Sequence, residues 1–220
     1  MKRFRSILGF CLPLAAFAGL AWLVCQHRQG LWWDVAILQA VRTTHRPWLD
    51  RLVTGFTPLG IWWGVLPAAL VMVGLLAYRG KWRSVLYVEI AFMGTAVLNF
   101  VAKLFFHRVR PHLWEDVPWM REYSFPSGHS MASLALVIAI VMLTWQSRWR
   151  PLAIVGGGAF VLAIGWTRLY LGVHYPSDII GGWLLETAWM AMSVLLIQPP
   201  PFYQGDRPQL PEIPPPKPCN

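Results

Sequence analysis

The sequence predicts an all-α, polytopic membrane protein: a bundle of six membrane-spanning helices with its chemistry-bearing residues gathered at one rim. Three observations carry this. Hydrophobic residues make up 56% of the 220 residues and charged residues only 13%, too apolar for an ordinary soluble domain. Apolar stretches long enough to cross a bilayer recur at 7–25, 59–78, 84–106, 129–146, 152–169 and 178–197. Lipid cannot satisfy open backbone groups, so each stretch is expected to be a helix.

The first stretch follows Lys2, Arg3 and Arg5. Ala16-Phe17-Ala18 mimics a signal-peptidase site, but the apolar run continues through Trp22-Leu23-Val24. It is therefore read as a retained helix rather than a cleaved signal. Between the first two spans, Trp32, Trp33 and Trp48 frame apolar positions at Val35, Ile37, Leu38 and Val41. That pattern fits an interfacial amphipathic helix or a packed lid without substrate contact. Residues 1–198 form the membrane-embedded domain. Residues 199–220 hold about half of the 18 prolines and read as a disordered, polyproline-like cytoplasmic tail.

Short basic loops set the orientation. Lys2, Arg3 and Arg5, then Arg79, Lys81 and Arg83, then Arg148 and Arg150, all fall on one face of a six-span bundle. The positive-inside rule makes that face cytoplasmic, with both termini, in a cell (inner or plasma) membrane. Residues 26–58, 107–128 and 170–177 then face outward, together with Arg42, Arg46, Arg51, Arg108 and Arg121. The formal charge of +9 suits anionic headgroups and topology signals rather than nucleic acid, for which there is no motif. Cys11, Cys25 and Cys219 give neither a disulfide framework nor a zinc spacing.

Three clusters fall at the outward edges of the spans: Lys103 with Arg110-Pro111, then Pro126-Ser127-Gly128-His129, then Arg168, His174 and Asp178. They bring three cations, two histidines and one carboxylate to one face, the inventory of a metal-free phosphoryl-transfer site. A phosphoryl group in transfer spreads negative charge over its equatorial oxygens, so positioning and electrostatics dominate. Arg110 and Arg168 each offer a planar fork of donors, and Lys103 a point charge. Ser127 reads as a helix N-cap, and Gly128 lets the first-turn amides approach an anion. Pro176 suits the first turn of the last helix, which puts His174 just before it and Asp178 inside it. A carboxylate in reach fixes the imidazole tautomer, favouring His174 as the nucleophile. His129 suits the general acid and base.

These residues resemble the phosphatidic-acid-phosphatase type 2 (PAP2) superfamily, in its membrane lipid phosphatase branch. Lys103 through Arg110-Pro111, Pro126 to His129, and Arg168, His174 and Asp178 match its three signature motifs, with Thr167 in place of the motif's Ser. Trp33-Asp34, Trp48-Leu49-Asp50 and Leu59-Gly60 resemble the family's segment between its first two helices, so the likeness runs from about residue 30 to 195. The resemblance implies a six-helix membrane phosphatase acting on a lipid phosphate through phosphohistidine, with no metal or other cofactor. It implies His174 as nucleophile, Asp178 as its partner and His129 as acid/base. Lys103, Arg110, Ser127, Gly128 and Arg168 would bind phosphate. Substrates in prospect are phosphatidic acid, phosphatidylglycerophosphate or undecaprenyl diphosphate.

A lipid phosphotransferase of the same family and a non-enzymatic anion or lipid transporter are the alternatives. A transporter would want cations along a path through the membrane rather than at one rim. His107 and His112 match no motif position and read as loop residues. Glu89 and Glu186 lie within spans, where ionisable residues are often functional. Glu89 suits pairing with a basic loop, and a buried polar group such as Asn99 suits Glu186. The sequence leaves oligomeric state open.

Overall fold

The computed structural model describes residues 2–111 and 123–197, with side chains from residue 7 onward. Arg121, His112 and the 199–220 tail therefore lie outside the described residues. Among those described, the chain is all-helical. α1 is Lys2–Gln26, α2 Trp32–Arg42, α3 Pro47–Phe56, α4 Val65–Tyr78, α5 Trp82–Phe106, α6 Gly128–Leu143, α7 Arg150–Tyr170 and α8 Pro176–Ile197. A short 3-10 helix, Thr57–Gly60, follows α3.

α8 is the hub and packs against α1, α5 and α6, while α7 packs on α6 and α4 on α5. α1 lays Phe17, Ala21 and Val24 against the bundle at helical spacing. Small residues set the closest approaches. A Cβ on Gly94 of α5 would lie 2.0 Å from the Trp189 ring of α8, and one on Gly157 of α7 would lie 2.5 Å from Val137 of α6. Small-residue contacts of this kind bring membrane helices together.

Five stretches among the described residues are long and apolar enough to cross a bilayer: Ile7–Gln26, Pro47–Tyr78, Trp82–Phe106, Arg150–Tyr170 and Pro176–Ile197. Gly128–Leu143 is a shorter apolar helix of 16 residues. The second span departs from its expectation of one helix over 59–78. It is broken, and α4 begins only at Val65. Pro58 sits in the 3-10 turn, and Gly64 packs so tightly on Leu59 that a Cβ would lie 2.3 Å from the Leu59 carbonyl oxygen. α4 alone, with 14 residues, is about 21 Å long, short of a hydrocarbon core of about 30 Å.

Exposed aromatics gather at both ends of the bundle. Trp32, Trp48, Trp62 and Trp63 lie at the end holding the α5 C-terminus and the α6 and α8 N-termini. Tyr78, Trp82, Trp145 and Trp149 lie at the other. Two such belts match the two membrane–water interfaces. Glu186 is wholly buried, and its expected partner is corrected. It accepts a hydrogen bond from Thr95 Oγ1 (2.9 Å), one turn before Asn99 on α5. Asn99 turns instead to the Pro126 carbonyl (3.0 Å). Glu89 is exposed.

Candidate active site

α5 ends at Phe106, and His107 takes a left-handed conformation (φ 48°) that turns the chain out of the helix. Beyond it, burial alternates along the chain. Arg108 and Arg110 are buried, with Val109 exposed between them. Ser124 pins this segment from the other side of the loop, its amide donating to the Arg108 carbonyl (2.8 Å) and its hydroxyl to the Val109 carbonyl (3.2 Å). Arg108, counted among the cations of this end of the bundle, is fully enclosed.

The Pro126-Ser127-Gly128-His129 segment docks on the first turns of α8. The Ser127 amide donates to the Asp178 carbonyl (3.0 Å), and a Cβ on Gly182 would lie 2.9 Å from the Ser127 carbonyl oxygen. Phe125 plugs the loop into the bundle. It stacks on Phe17 (5.7 Å), meets Phe106 edge-on (5.0 Å) and sits over Gly181, where a Cβ would lie 2.5 Å away. Ser127 stands at the N-cap of α6 as expected, but its hydroxyl does not cap the helix and accepts from Ser130 Oγ instead (3.1 Å). His129, in the first turn of α6, lies against the broken span. A Cβ on Gly60 would lie 3.0 Å from its ring.

Arg168, in the last turn of α7, donates from Nη1 to Thr57 Oγ1 (2.8 Å). Thr57 Oγ1 also lies 3.1 Å from Thr167 Oγ1, whose proton goes to the Ile164 carbonyl (2.6 Å), so the hydroxyl of the residue replacing the motif's Ser is engaged. The Nε of Arg168 is buried with no hydrogen-bond partner among the described residues. A guanidinium edge is a donor suited to an anion.

His174 lies on the loop between α7 and α8, 2% exposed. Its Nδ1 faces Asp178 Oδ2 at 3.4 Å, and its Nε2 faces Arg110 Nη1 at 3.3 Å. Arg110 also donates to the Val173 carbonyl (2.9 Å). Since a guanidinium only donates, Nε2 is the acceptor nitrogen and Nδ1 carries the proton toward Asp178. The lone pair of His174 thus points at Arg110. Burial, followed by the charges of Arg110, Arg168 and Lys103, holds the His174 imidazole well below its usual range, in the neutral and nucleophilic form. The same three cations act on His129, so both imidazoles and all three cations share one electrostatic environment. The fold thus joins Arg110, His174 and Asp178 in direct contact and ties Ser127 to Asp178, while the charges of Lys103 and Arg168 reach both imidazoles.

A family model described as the PAP2 superfamily matches residues 82–200. The chain belongs to the PAP2 superfamily. Phosphatidylglycerophosphatase B of Bacillus subtilis is 34% identical over 160 residues, 69% of this chain and 77% of that protein. Undecaprenyl-diphosphatase BcrC of the same organism is 29% identical over 143 residues, 62% of this chain and 69% of that protein. Among solved structures, the transmembrane PAP2-type phosphatidylglycerolphosphate phosphatase from Bacillus subtilis aligns with a TM-score of 0.74. The match is 27% identical and covers 87% of this chain and 96% of that one. The all-α membrane architecture is thus that of a PAP2 phosphatase.

Around this PAP2 site the structure adds residues that sequence reasoning missed. Thr57, in the 3-10 turn just ahead of the segment read as the second span, holds Arg168. Asp34, Arg108 and Ser177 form a buried cluster behind Asp178. Arg108 donates to Asp34 Oδ2 (2.9 Å), to Ser177 Oγ (2.7 Å) and, through a short contact, to Asp178 Oδ1. α2 packs as a cover, with Asp34 and Leu38 buried while Trp32 and Ile37 are exposed.

Proposed function

We propose that this PAP2 protein is an integral membrane lipid-phosphate phosphatase that hydrolyses a phosphomonoester or diphosphate of a lipid through a phosphohistidine on His174. The observation that carries this reading is the split environment of His174, with Nδ1 toward Asp178 and Nε2 toward Arg110. A phosphate held by Arg110, Arg168, Lys103, the Ser127 hydroxyl and the Gly128 amide has its phosphorus in front of Nε2. Nε2 attacks phosphorus and the bond to the lipid oxygen breaks. Asp178 stabilises the imidazolium side of His174 while the cations take the charge on the equatorial oxygens. His129 gives its proton to the leaving oxygen, which departs as an alcohol or, from a diphosphate, as a lipid monophosphate. His129 then takes a proton from water, whose oxygen attacks phosphorus. The N–P bond breaks and inorganic phosphate leaves. A dianionic substrate offsets the cations around His129 and so favours the protonated imidazole that the first step needs.

The relatives support the substrate class, because one is named for phosphatidylglycerophosphate and another for undecaprenyl diphosphate. The position of the site among exposed tryptophans at one end of the bundle suits a phosphate presented at the headgroup level. The short basic loops at the other end support an extracytoplasmic site in the cell membrane, six spans and both termini inside. Cations rather than acidic ligands meet the phosphate, so turnover persists in a chelator. The test is a panel of lipid phosphates presented in detergent micelles, with released phosphate measured and acid-labile label on His174 sought after rapid quenching. His174→Ala should abolish turnover while the protein stays folded; full activity in that variant would sink the assignment.

A further inference from the structure

Asp34 and Asp178 do the same local job in two different helices. Each is the third residue of its helix and accepts the amide of its own N-cap. Leu31 N donates to Asp34 Oδ2 (3.0 Å) and Tyr175 N to Asp178 Oδ2 (2.8 Å). Asp34 also reaches across to the start of α8. Its Oδ1 accepts the Ser177 amide (2.8 Å) and its Oδ2 the Ser177 hydroxyl (2.5 Å). Arg108 lies between the two carboxylates and bonds both, and all three side chains are wholly enclosed. The Tyr175 ring lies 4.3 Å from the Arg108 guanidinium, and the Tyr175 hydroxyl donates to the Gln29 carbonyl (2.9 Å). Two carboxylates and one guanidinium enclosed together are costly to bury, and each is retained only where its bonds are filled.

This cluster fixes the one carboxylate that faces His174. Asp178 Oδ1 is taken by Arg108, which leaves Oδ2 turned toward the imidazole Nδ1. Resting on the phosphohistidine reading above, we infer that Arg108, anchored by Asp34 and Ser177, is a positioning residue that holds the Asp178 carboxylate toward His174. The covering helix α2 is thereby part of the catalytic machinery. Asp34 lies outside the 82–200 segment that the family model matches. Arg108 acts through Asp178 and touches neither the phosphate nor the reacting nitrogen. A lysine keeps the charge but cannot bond both carboxylates in one plane.

The test uses the full chain in lipid nanodiscs with phosphatidic acid labelled on phosphorus. Rapid quenching gives both the rate constant and the amplitude of His174 phosphorylation. Arg108→Lys, Asp34→Asn and Ser177→Ala are each made in the wild-type and in the Asp178→Asn background. In the wild-type background Arg108→Lys and Asp34→Asn should slow phosphorylation roughly 10–100-fold, the range for residues that orient a reactive side chain from behind. Ser177→Ala should slow it less. The amplitude should stay that of the folded fraction. In the Asp178→Asn background the same changes should add at most about twofold, because residues acting as one unit are not additive. A fall in amplitude at constant rate would reduce the cluster to a structural role and overturn the inference, as would equal slowing in both backgrounds. Ser177→Ala removes one hydroxyl and guards against misfolding of the charge variants; a wild-type rate constant in it counts against the anchor. If the wild type releases phosphate without label on His174, the phosphohistidine reading falls and this inference with it. If the label forms and the variants leave its rate unchanged, only this inference falls.

Discussion

Thr57→Val tests whether the break in the second span serves the chemistry. Thr57 Oγ1 accepts from Arg168 Nη1 at 2.8 Å, while the Arg168 Nε has no partner among the described residues. Valine fills nearly the same volume but accepts nothing. Thr167 Oγ1 keeps its bond to the Ile164 carbonyl (2.6 Å), so the substitution strands Arg168 and little else. A hydrogen bond to a charged group contributes about 1.5–3 kcal/mol. If that energy holds Arg168 where the transferring phosphoryl group needs it, kcat/KM should fall roughly tenfold to a hundredfold. The assay is phosphate release from a lipid phosphate in mixed micelles, with a thermal melt to check folding. Thr57→Ser keeps the hydroxyl and should recover most of the loss. A Thr57→Val enzyme within about twofold of wild type would refute the reasoning, as would a Thr57→Ser enzyme as poor as the valine variant.

Stability should carry the signature of a buried neutral His174. The unfolded chain binds a proton there near the ordinary histidine pKa of about 6.5, whereas the folded chain does not until well below it. Stability is therefore complete above about pH 6.5 and falls by up to about 1.4 kcal/mol per pH unit below it. Melting curves of His174→Asn from pH 7 to pH 5 should show a shallower slope than wild type, and parallel slopes would refute this. Phe125→Ala should destabilise the fold by about 3–5 kcal/mol, because a fully buried ring between Phe17, Phe106 and Gly181 is lost; an unshifted melting temperature would contradict the packing. In a variant lacking native cysteines, Gln39→Cys on exposed α2 should react with a membrane-impermeant thiol reagent in intact cells, and Lys81→Cys only after permeabilisation. The reverse pattern would place the site on the cytoplasmic face.

The parts of the site that could be read from sequence were those local to one span edge. Lys103 to Arg110, Pro126 to His129, and Arg168 to Asp178 each fall within one short stretch, where hydropathy marks the membrane edge and Pro176 marks a helix start. Partners brought by another helix could not be read this way. Asp34 and Arg108 are 74 positions apart, and nothing in either segment names the other. Hydropathy was also blind to the broken second span. Pro58, Gly60 and Gly64 are turn residues within an apolar stretch, and the apolar average hid them. The Glu186 partner failed for a similar reason. Thr95 and Asn99 are one turn apart on α5, and choosing between them needs the rotation of α5 against α8, which packing decides.

The arrangement of charge explains why two neighbouring arginines have opposite environments. Arg110 faces the Nε2 side of His174, where the charges of Arg168 and Lys103 also act. Arg108 looks the other way, into two carboxylates that leave it nothing to offer a substrate. His174 stands on the boundary, with the acidic layer behind Nδ1 and the cationic layer before Nε2. That gradient favours the Nδ1–H tautomer, turns the lone pair toward Arg110 and keeps the His174 imidazole neutral. It also accounts for the enclosure of Arg108. An exposed guanidinium there would add a fourth cation to the phosphate space and release Asp178 from its orientation, weakening both halves of the gradient at once.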